Sequence, residues 1–119
     1  MQGEMILGAG IDIIEIARIK KAIERWGDDF LKHIFNLEEI AYSNRQKNPY
    51  QHFAVRFAAK EAVFKAVGDR KMSWKDLTIT HDPDGKPVCT YHSRGFTKKI
   101  IISLSHCKEY AVASAIVTS

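Results

Sequence analysis

The feature that most constrains the fold is a stretch of strong helix formers near the middle of the chain. It reads Arg56-Phe57-Ala58-Ala59-Lys60-Glu61-Ala62-Val63-Phe64-Lys65-Ala66-Val67-Gly68. The closing glycine is a usual end of a helix, so we predict a helix over residues 50–68. Because apolar side chains lie most of the way around it, we expect the rest of the protein to cover much of this helix.

Glu61 and Lys65 lie one helical turn apart, opposite the apolar face that includes Ala59 and Ala62. The ordinary interpretation is an ion pair along the helix, which contributes roughly a few tenths of a kcal/mol. The alternative is that Glu61 holds a metal ion and Lys65 contacts an anionic ligand, since a carboxylate in apolar surroundings needs a cationic partner. The helix by itself does not decide between the two.

A second carboxylate with unusual neighbours lies near the N-terminus. Residues 5–14 predict a strand that is apolar, and therefore buried, on both faces, with glycines where other elements approach closely. Asp12 is the single charge within it, and a buried aspartate is uncommon unless it is paired or bound to a metal. The alternative is that Asp12 caps the helix that follows.

The rest of the pattern predicts an α+β domain in which helices pack on an antiparallel sheet, because one strand and several helices precede a run of strands. We expect residues 1–4 to be an N-terminal extension and residues 5–119 to form one domain. Residues 69–74 predict a polar loop that is mobile. The other predicted helices cover residues 15–26 and 30–35 and begin again near 36, and the predicted strands cover residues 75–81, 88–91, 98–105 and 110–117.

Length, charge and cysteine content narrow the class of protein. The 119 residues carry a net charge of +4, which favours an acidic partner: a nucleic acid, an acidic protein or a phosphate-rich small molecule. Cys89 and Cys107 have no CxxC spacing, which favours a reducing cytoplasm. No apolar run approaches the ~20 residues of a membrane span, and no signal-peptide pattern is present.

The sequence lacks the motifs of several enzyme classes but contains two carboxylates that could bind a metal ion. There is no GxxxxGK[ST] loop, GxGxxG turn or GxSxG elbow, so nucleotide hydrolysis, dinucleotide redox chemistry and a serine triad are unsupported. Asp12 and Glu61 together suit Mg²⁺, which is usually held by one or two carboxylates and phosphate oxygens. Surface solvation explains any one cationic side chain taken alone, but five lie near loops or element ends: Lys65, Arg56, Arg45, Lys86 and His106.

Three segments carry a resemblance to a known family. They read Gly10-Ile11-Asp12-Ile13-Ile14-Glu15-Ile16-Ala17-Arg18-Ile19, Arg56-Phe57-Ala58-Ala59-Lys60-Glu61-Ala62-Val63-Phe64-Lys65-Ala66 and Ser103-Leu104-Ser105-His106-Cys107-Lys108-Glu109-Tyr110-Ala111-Val112-Ala113. The turn Asp84-Gly85-Lys86-Pro87 also fits, and the likeness covers nearly the whole chain from Met5. Together these segments resemble the holo-acyl-carrier-protein synthases, the small phosphopantetheinyl transferases of bacterial fatty-acid synthesis.

The resemblance implies a fold, an assembly and a reaction. The fold is that of the 4′-phosphopantetheinyl transferases, assembled as a homotrimer with active sites at subunit interfaces. The reaction is the Mg²⁺-dependent transfer of the 4′-phosphopantetheine arm of coenzyme A to a serine of apo acyl carrier protein, with adenosine 3′,5′-bisphosphate as the second product. Two alternatives stay open: a small basic nucleic-acid-binding module, and an interaction domain in which Asp12, Glu61 and Lys65 merely pair.

The resemblance also implies roles for individual residues. Asp12 and Glu61 match the Mg²⁺ ligands, and Lys65 matches the lysine at the transferring phosphate, so these three form the predicted catalytic set. Arg18, with Arg25, matches the surface that docks the acidic helix of the carrier protein. The residues that match the coenzyme A site are Arg56, Lys86, His106, Arg45, Gly85 and Pro87.

Overall fold

The computed structural model describes residues 3–68 and 71–119. Residues 69 and 70 of the predicted loop, and residues 1 and 2 of the predicted extension, lie outside the described residues. The strands are β1 Ile6–Glu15, β2 Leu77–His81, β3 Pro87–Tyr91, β4 Lys99–His106 and β5 Tyr110–Thr118. The helices are α1 Ile16–Trp26, α2 Asp28–Ile34, α3 Leu37–Asn44 and α4 Pro49–Val67, with a short 3-10 helix at Trp74–Asp76. None of the described helices has the length and apolar character needed to cross a membrane.

The strands form two antiparallel sheets, which confirms the predicted α+β class. The larger sheet has the order β1-β5-β4, and β2 and β3 form a separate hairpin. Ala113 in the central strand pairs with Asp12 of β1 on one side and with Leu104 of β4 on the other. The strand and helix positions agree with the predicted ones to within one or two residues at most ends.

Helix α4 packs directly against one face of the larger sheet, as the prediction of a largely covered helix requires. Gly68 ends the helix in the left-handed conformation at φ 74°. Glycines in β1 allow very close approach, because a methyl group at Gly8 or Gly10 would collide with the carbonyl oxygen of Ala66 or Ala62. The helix backbone therefore lies against the strand backbone, and no side chain separates them at these two positions.

The prediction that β1 is buried on both faces is wrong for the single chain. Gly10, Asp12 and Ile14 point towards α4, whereas Ile11 and Ile13 are 65% and 64% exposed. The reason is that α4 covers one face of the sheet, and successive strand residues alternate between faces. The uncovered side, here called the outer face, carries four exposed isoleucines: Ile11, Ile13, Ile101 and Ile116.

A buried ion pair that the sequence analysis did not find joins α3 to α4. The Glu39 and Lys60 side chains are 0% exposed, and Lys60 Nζ lies 2.7 Å from Glu39 Oε1. Lys60 Nζ also donates hydrogen bonds to the carbonyl oxygens of Ile34 at 2.8 Å and Trp74 at 3.1 Å. All three ammonium protons therefore have acceptors, which is the condition under which a buried lysine is tolerated.

The Glu39 carboxylate also accepts hydrogen bonds from two backbone N–H groups. Its Oε1 accepts the backbone N–H of Asn36 at 2.8 Å, which closes a capping box at the start of α3. Its Oε2 accepts the backbone N–H of Ile79 at 2.9 Å, so the carboxylate also ties strand β2 to the helices. The pair fixes where α3, α4 and β2 meet.

We predict that Lys60→Met lowers the free energy of unfolding by about 3–5 kcal/mol, because the substitution leaves the Glu39 carboxylate buried without its cation. Urea denaturation followed by circular dichroism measures the change. Lys75→Met is the matched control, since Lys75 is exposed and should cost no more than about 0.5 kcal/mol. Equal stability losses in the two variants would contradict the role given to the buried pair.

Candidate active site

The close packing of α4 on β1 brings Asp12, Glu61 and Lys65 together, as predicted. Lys65 Nζ donates to Asp12 Oδ1 at 3.2 Å and to the backbone oxygen of Ile11 at 3.0 Å. Gly10 permits this geometry, because its missing side chain leaves room for the Cβ of Lys65. In the described part of the chain, Lys65 therefore forms its ion pair with the strand rather than with Glu61 on its own helix.

The alternative role for Asp12, as a helix cap, is wrong. The N-cap residue of α1 is Glu15, and its side chain makes no capping hydrogen bond with the described residues. Asp12 instead lies three residues earlier, in the middle of the paired part of β1. Its side chain is 17% exposed, so the carboxylate is accessible to a ligand at the edge of the helix–sheet contact.

The electrostatics of the Glu61 carboxylate reflect its neighbours. Burial raises the pKa of Glu61, the negative charge of Asp12 raises it further, and the ammonium group of Lys65 opposes both. A bound divalent cation would favour the ionised form of Glu61, which burial and the charge of Asp12 disfavour. Oxygen donors from one or two carboxylates are also what Mg²⁺ usually takes from a protein, so the residues present fit that ion.

A second cluster surrounds Arg56, five residues before Glu61 on the same helix. Arg56 is 1% exposed, and its Nη1 donates to the carbonyl oxygen of His52 at 3.3 Å. Its guanidinium carbon lies 4.5 Å from the ring centroid of Tyr42, while its Nε has no hydrogen-bond partner among the described residues. The interpretation of Arg56 as a solvated surface residue is therefore wrong. A buried guanidinium with an unused donor is suited to an anionic ligand.

Arg56 lines an open cleft between α3, α4 and β2. The cleft has a volume of about 240 Å³. Arg45, at the end of α3, lies in the same cleft, as does His81 at the end of β2. The structure thus brings two of the predicted coenzyme A residues, Arg45 and Arg56, to one place. The residues that line the cleft are Glu38, Tyr42, Arg45, Arg56, Ile79, Thr80 and His81.

The other predicted coenzyme A residues lie on two turns. His106 ends β4, and its ring centroid lies 6.2 Å from that of His52, which places it beside the Arg56 cluster. Gly85 and Lys86 belong to the turn between β2 and β3, and Pro87 begins β3. Asp82 Oδ1 accepts the backbone N–H of Lys86 at 2.9 Å, and the Lys86 residue itself is exposed. This turn follows directly after His81, at the rim of the cleft.

The predicted partner-binding residues lie on the exposed side of α1. Arg18 and Arg25 are both exposed, and the Arg25 guanidinium stacks on the exposed Trp26 ring at 4.8 Å. On another side of α1, Lys20 lies over the ring of Tyr50 at 5.5 Å, at the start of α4.

Sequence reasoning missed Tyr42, His52 and His81 as members of the Arg56 cluster. His52 lies one helical turn before Arg56, a spacing that a helical wheel shows directly. Tyr42 and His81 reach the cluster from α3 and β2, and no local pattern places those elements beside α4.

A family model and full-length relatives match this chain. The model describes the 4′-phosphopantetheinyl transferase superfamily and matches residues 8–115. A holo-[acyl-carrier-protein] synthase from Thermodesulfovibrio yellowstonii is 45% identical over 115 residues, which cover 96% of this chain and 100% of the relative. The chain belongs to the 4′-phosphopantetheinyl transferase superfamily. The corresponding synthase from Koribacter versatilis is 40% identical and covers 94% of this chain.

Solved structures of phosphopantetheinyl transferases agree with this assignment. A holo-(acyl-carrier-protein) synthase from Bacillus anthracis, in complex with CoA (3′,5′-ADP), has a TM-score of 0.84 at 37% identity, covering 97% of this chain and 98% of that one. The synthase from Helicobacter pylori in complex with coenzyme A has a TM-score of 0.83 at 30% identity, covering 92% and 98%.

The family membership confirms the resemblance and decides between the open alternatives. This phosphopantetheinyl transferase is an enzyme, so the interpretation as an interaction domain without catalysis is wrong. The relatives named above are synthases, so the nucleic-acid-binding alternative finds no support among them.

Proposed function

We propose that this enzyme transfers the 4′-phosphopantetheine arm of coenzyme A to a serine of an apo acyl carrier protein, in the cytoplasm and for fatty acid biosynthesis. The observation that carries the proposal is that Asp12, Glu61 and Lys65 meet where α4 crosses β1. The same helix, α4, also carries Arg56, which lines the cationic cleft. Relatives that are named for this reaction, and relatives with bound coenzyme A, support it. We retain residues 5–119 as the single catalytic domain, after an extension over residues 1–4.

The proposed reaction forms one bond and breaks one. The serine oxygen attacks the β-phosphorus of coenzyme A, and the P–O bond to the adenosine 3′,5′-bisphosphate breaks, so that this nucleotide leaves with the bond's electron pair. The serine proton passes to a base at the site, for which water and a nearby carboxylate are the two candidates. Phosphoryl transfer depends on positioning and charge neutralisation more than on covalent help from the protein.

The three residues at the crossing of α4 and β1 would share this work. Asp12 and Glu61 would hold Mg²⁺, which supplies Lewis-acid neutralisation of phosphate oxygens when bound. Lys65 is half-exposed and already donates to Asp12, so its ammonium group can turn one donor to a phosphate oxygen and steady the departing charge.

The Arg56 cluster would hold the phosphates of coenzyme A. Arg56 offers a buried donor, and Arg45 and His106 approach the same region from α3 and β4. The β2–β3 turn, with Gly85, Lys86 and Pro87, would close over the ligand from the rim. Arg56 precedes Glu61 by five residues, which is about 7.5 Å along the helix axis and about 140° around it, so the two groups would contact different parts of the extended coenzyme A molecule.

Helix α1 would dock the acyl carrier protein. Arg18 and Arg25 are exposed on a basic helix, and a basic surface accelerates encounter with an acidic partner in a salt-dependent way. The helix starts directly after β1, so it lies next to the strand that carries Asp12.

The outer face would be the trimer interface. Its exposed isoleucines form an apolar surface on the side of β1 that faces away from α4, and such surfaces usually mark association sites. Because Ile11 and Ile13 flank Asp12 in the strand, association through this face would place each catalytic site next to a neighbouring subunit.

We predict that Asp12→Ala and Glu61→Ala each lower transfer by roughly 10²- to 10³-fold, because the charge that builds on the phosphates loses its stabilisation. The assay incubates enzyme, apo carrier protein, coenzyme A and Mg²⁺, and mass spectrometry detects the added phosphopantetheine. Asp29→Ala, at an exposed position in α2, is the control. No modification by the wild-type enzyme would overturn the proposed function, and full activity of either variant would overturn the metal assignment.

We expect Arg18→Glu to raise KM for the carrier protein about tenfold or more, because a charge reversal in a docking surface replaces attraction with repulsion. The Kd for coenzyme A should stay within about twofold of wild type. Lys32→Glu makes the same change in net charge at an exposed position on a different helix, α2. Similar KM increases in both variants would show that net charge, rather than docking at α1, is responsible.

For the outer face, Ile13→Glu should convert the trimer to monomers, because a carboxylate in an apolar interface has no partner. Light scattering coupled to size-exclusion chromatography gives the mass, and transfer activity should fall with it. Leu37→Glu is the control, since Leu37 is 77% exposed on α3, outside the outer face. A wild-type protein that is monomeric at micromolar concentration would rule out the trimer.

A further inference from the structure

Three histidines from three different elements lie at or near the Arg56 cluster. His52 lies one turn earlier on α4, His81 ends β2 and His106 ends β4. The His52 ring lies 6.2 Å from that of His106 and 5.9 Å from Tyr42. His81 Nδ1 lies 3.5 Å from Arg56 Nη2, and its ring lies 5.5 Å from Tyr42. His52 and His81 therefore lie beside Arg56, and His106 lies next to His52.

We propose that His81, which lines this cleft, and His52, which lies beside it against Tyr42, are additional anion-binding residues, and that they take up protons when a phosphate ester binds there. The inference rests on the proposed function, because it takes coenzyme A as the ligand. It adds two residues to the site and predicts that affinity for the ligand depends on pH.

The ligand-free charges explain why both imidazoles are neutral near pH 7. Burial lowers the pKa of His52, and the positive charge of Arg56 lowers it further, with smaller contributions from His106 and His81. Burial and Arg56 likewise lower the pKa of His81, while Asp82 opposes them.

The other charged groups that face the cleft are few. From α3, Glu38, Tyr42 and Arg45 line it, and from α4 Arg56 does so. Glu38 and Asp82 are the acidic groups among the residues described at this site, and Arg45 and Arg56 offset them. An incoming phosphate ester therefore supplies the negative charge that both imidazoles lack.

A bound anion changes the electrostatic potential at the two imidazole rings from positive towards negative. Its negative charges favour the imidazolium forms, in which both ring nitrogens donate hydrogen bonds. The pKa values are then higher in the complex than in the free enzyme, so protons are taken up between the two values. Affinity rises as pH falls through that window, by at most about tenfold per pH unit for each proton, and it levels off on either side.

Calorimetry tests the proposal directly. Coenzyme A is titrated into the enzyme at pH 7 in two buffers of different ionisation enthalpy, and the difference in heat counts the protons taken up. His52→Phe keeps an aromatic ring in contact with Tyr42 but cannot titrate, and His81→Gln removes the second imidazole. Each variant should take up fewer protons than wild type, and both should show a flatter dependence of Kd on pH between 6 and 8.

The controls separate this effect from other sources of protons. The phosphates of coenzyme A titrate themselves, but they do so equally with every variant, so the difference from wild type belongs to the protein. His33→Gln removes a histidine that is exposed on α2 and should behave as wild type. His81→Lys supplies a permanent cation, and it should bind coenzyme A more tightly than wild type at pH 8 with little pH dependence.

The outcomes distinguish this inference from the proposed function. If coenzyme A binds and is transferred while both variants take up as many protons as wild type, the role of the histidines is refuted and the function stands. If coenzyme A does not bind the wild-type enzyme at all, both fall. If His52→Phe alone matches wild type, His52 contributes only ring packing and is excluded from the proposal.

Discussion

The contact between the backbone of β1 and the backbone of α4 is the constraint on which the rest of the structure depends. Gly8 and Gly10 make it possible, because a side chain at either position would occupy the space of a helix carbonyl group. The helix turn that carries Glu61 and Lys65 is thereby pressed against the strand that carries Asp12. A few ångströms of added separation would leave Lys65 out of reach of Asp12, and the two carboxylates would no longer influence each other.

The Glu39–Lys60 pair plays a complementary part on the other side of α4. One carboxylate binds an ammonium group, the first turn of α3 and a backbone N–H of β2. The desolvation of both charges is costly, and the additional hydrogen bonds offset part of it. The network holds α3 and β2 in place against α4. These two elements bring Tyr42, Arg45 and His81 to the Arg56 cleft. The two sites thus share α4 as their common support.

Structural features that depend on a few neighbouring residues could be predicted from the sequence, and features that depend on distant residues could not. The boundaries of α4 follow from Pro49 and Gly68, and the turn at residues 82–87 follows from its prolines and glycine, since these residues act on their own backbone. The burial of Arg56 and Lys60 could not be predicted in this way. A charged residue in a helix usually faces solvent, and only the partners contributed by α3, β2 and the 3-10 helix make burial tolerable. The exposure of Ile11 and Ile13 escaped prediction because an apolar strand face predicts a cover, whereas in the single chain α4 covers only the other face of the strand.

The sequence by itself determined the α+β class, the long central helix, the family to which the chain belongs and the identity of the two carboxylates and the lysine at the crossing of α4 and β1. These properties are carried by residue types at short spacing, or by motifs that occur in a fixed order. Only the tertiary structure decided which charges meet: Lys65 with Asp12 rather than with Glu61, Glu39 with Lys60, and His81 with Arg56. The physical reason is that charge pairing depends on distance and burial, and both are set by contacts between residues far apart in the chain.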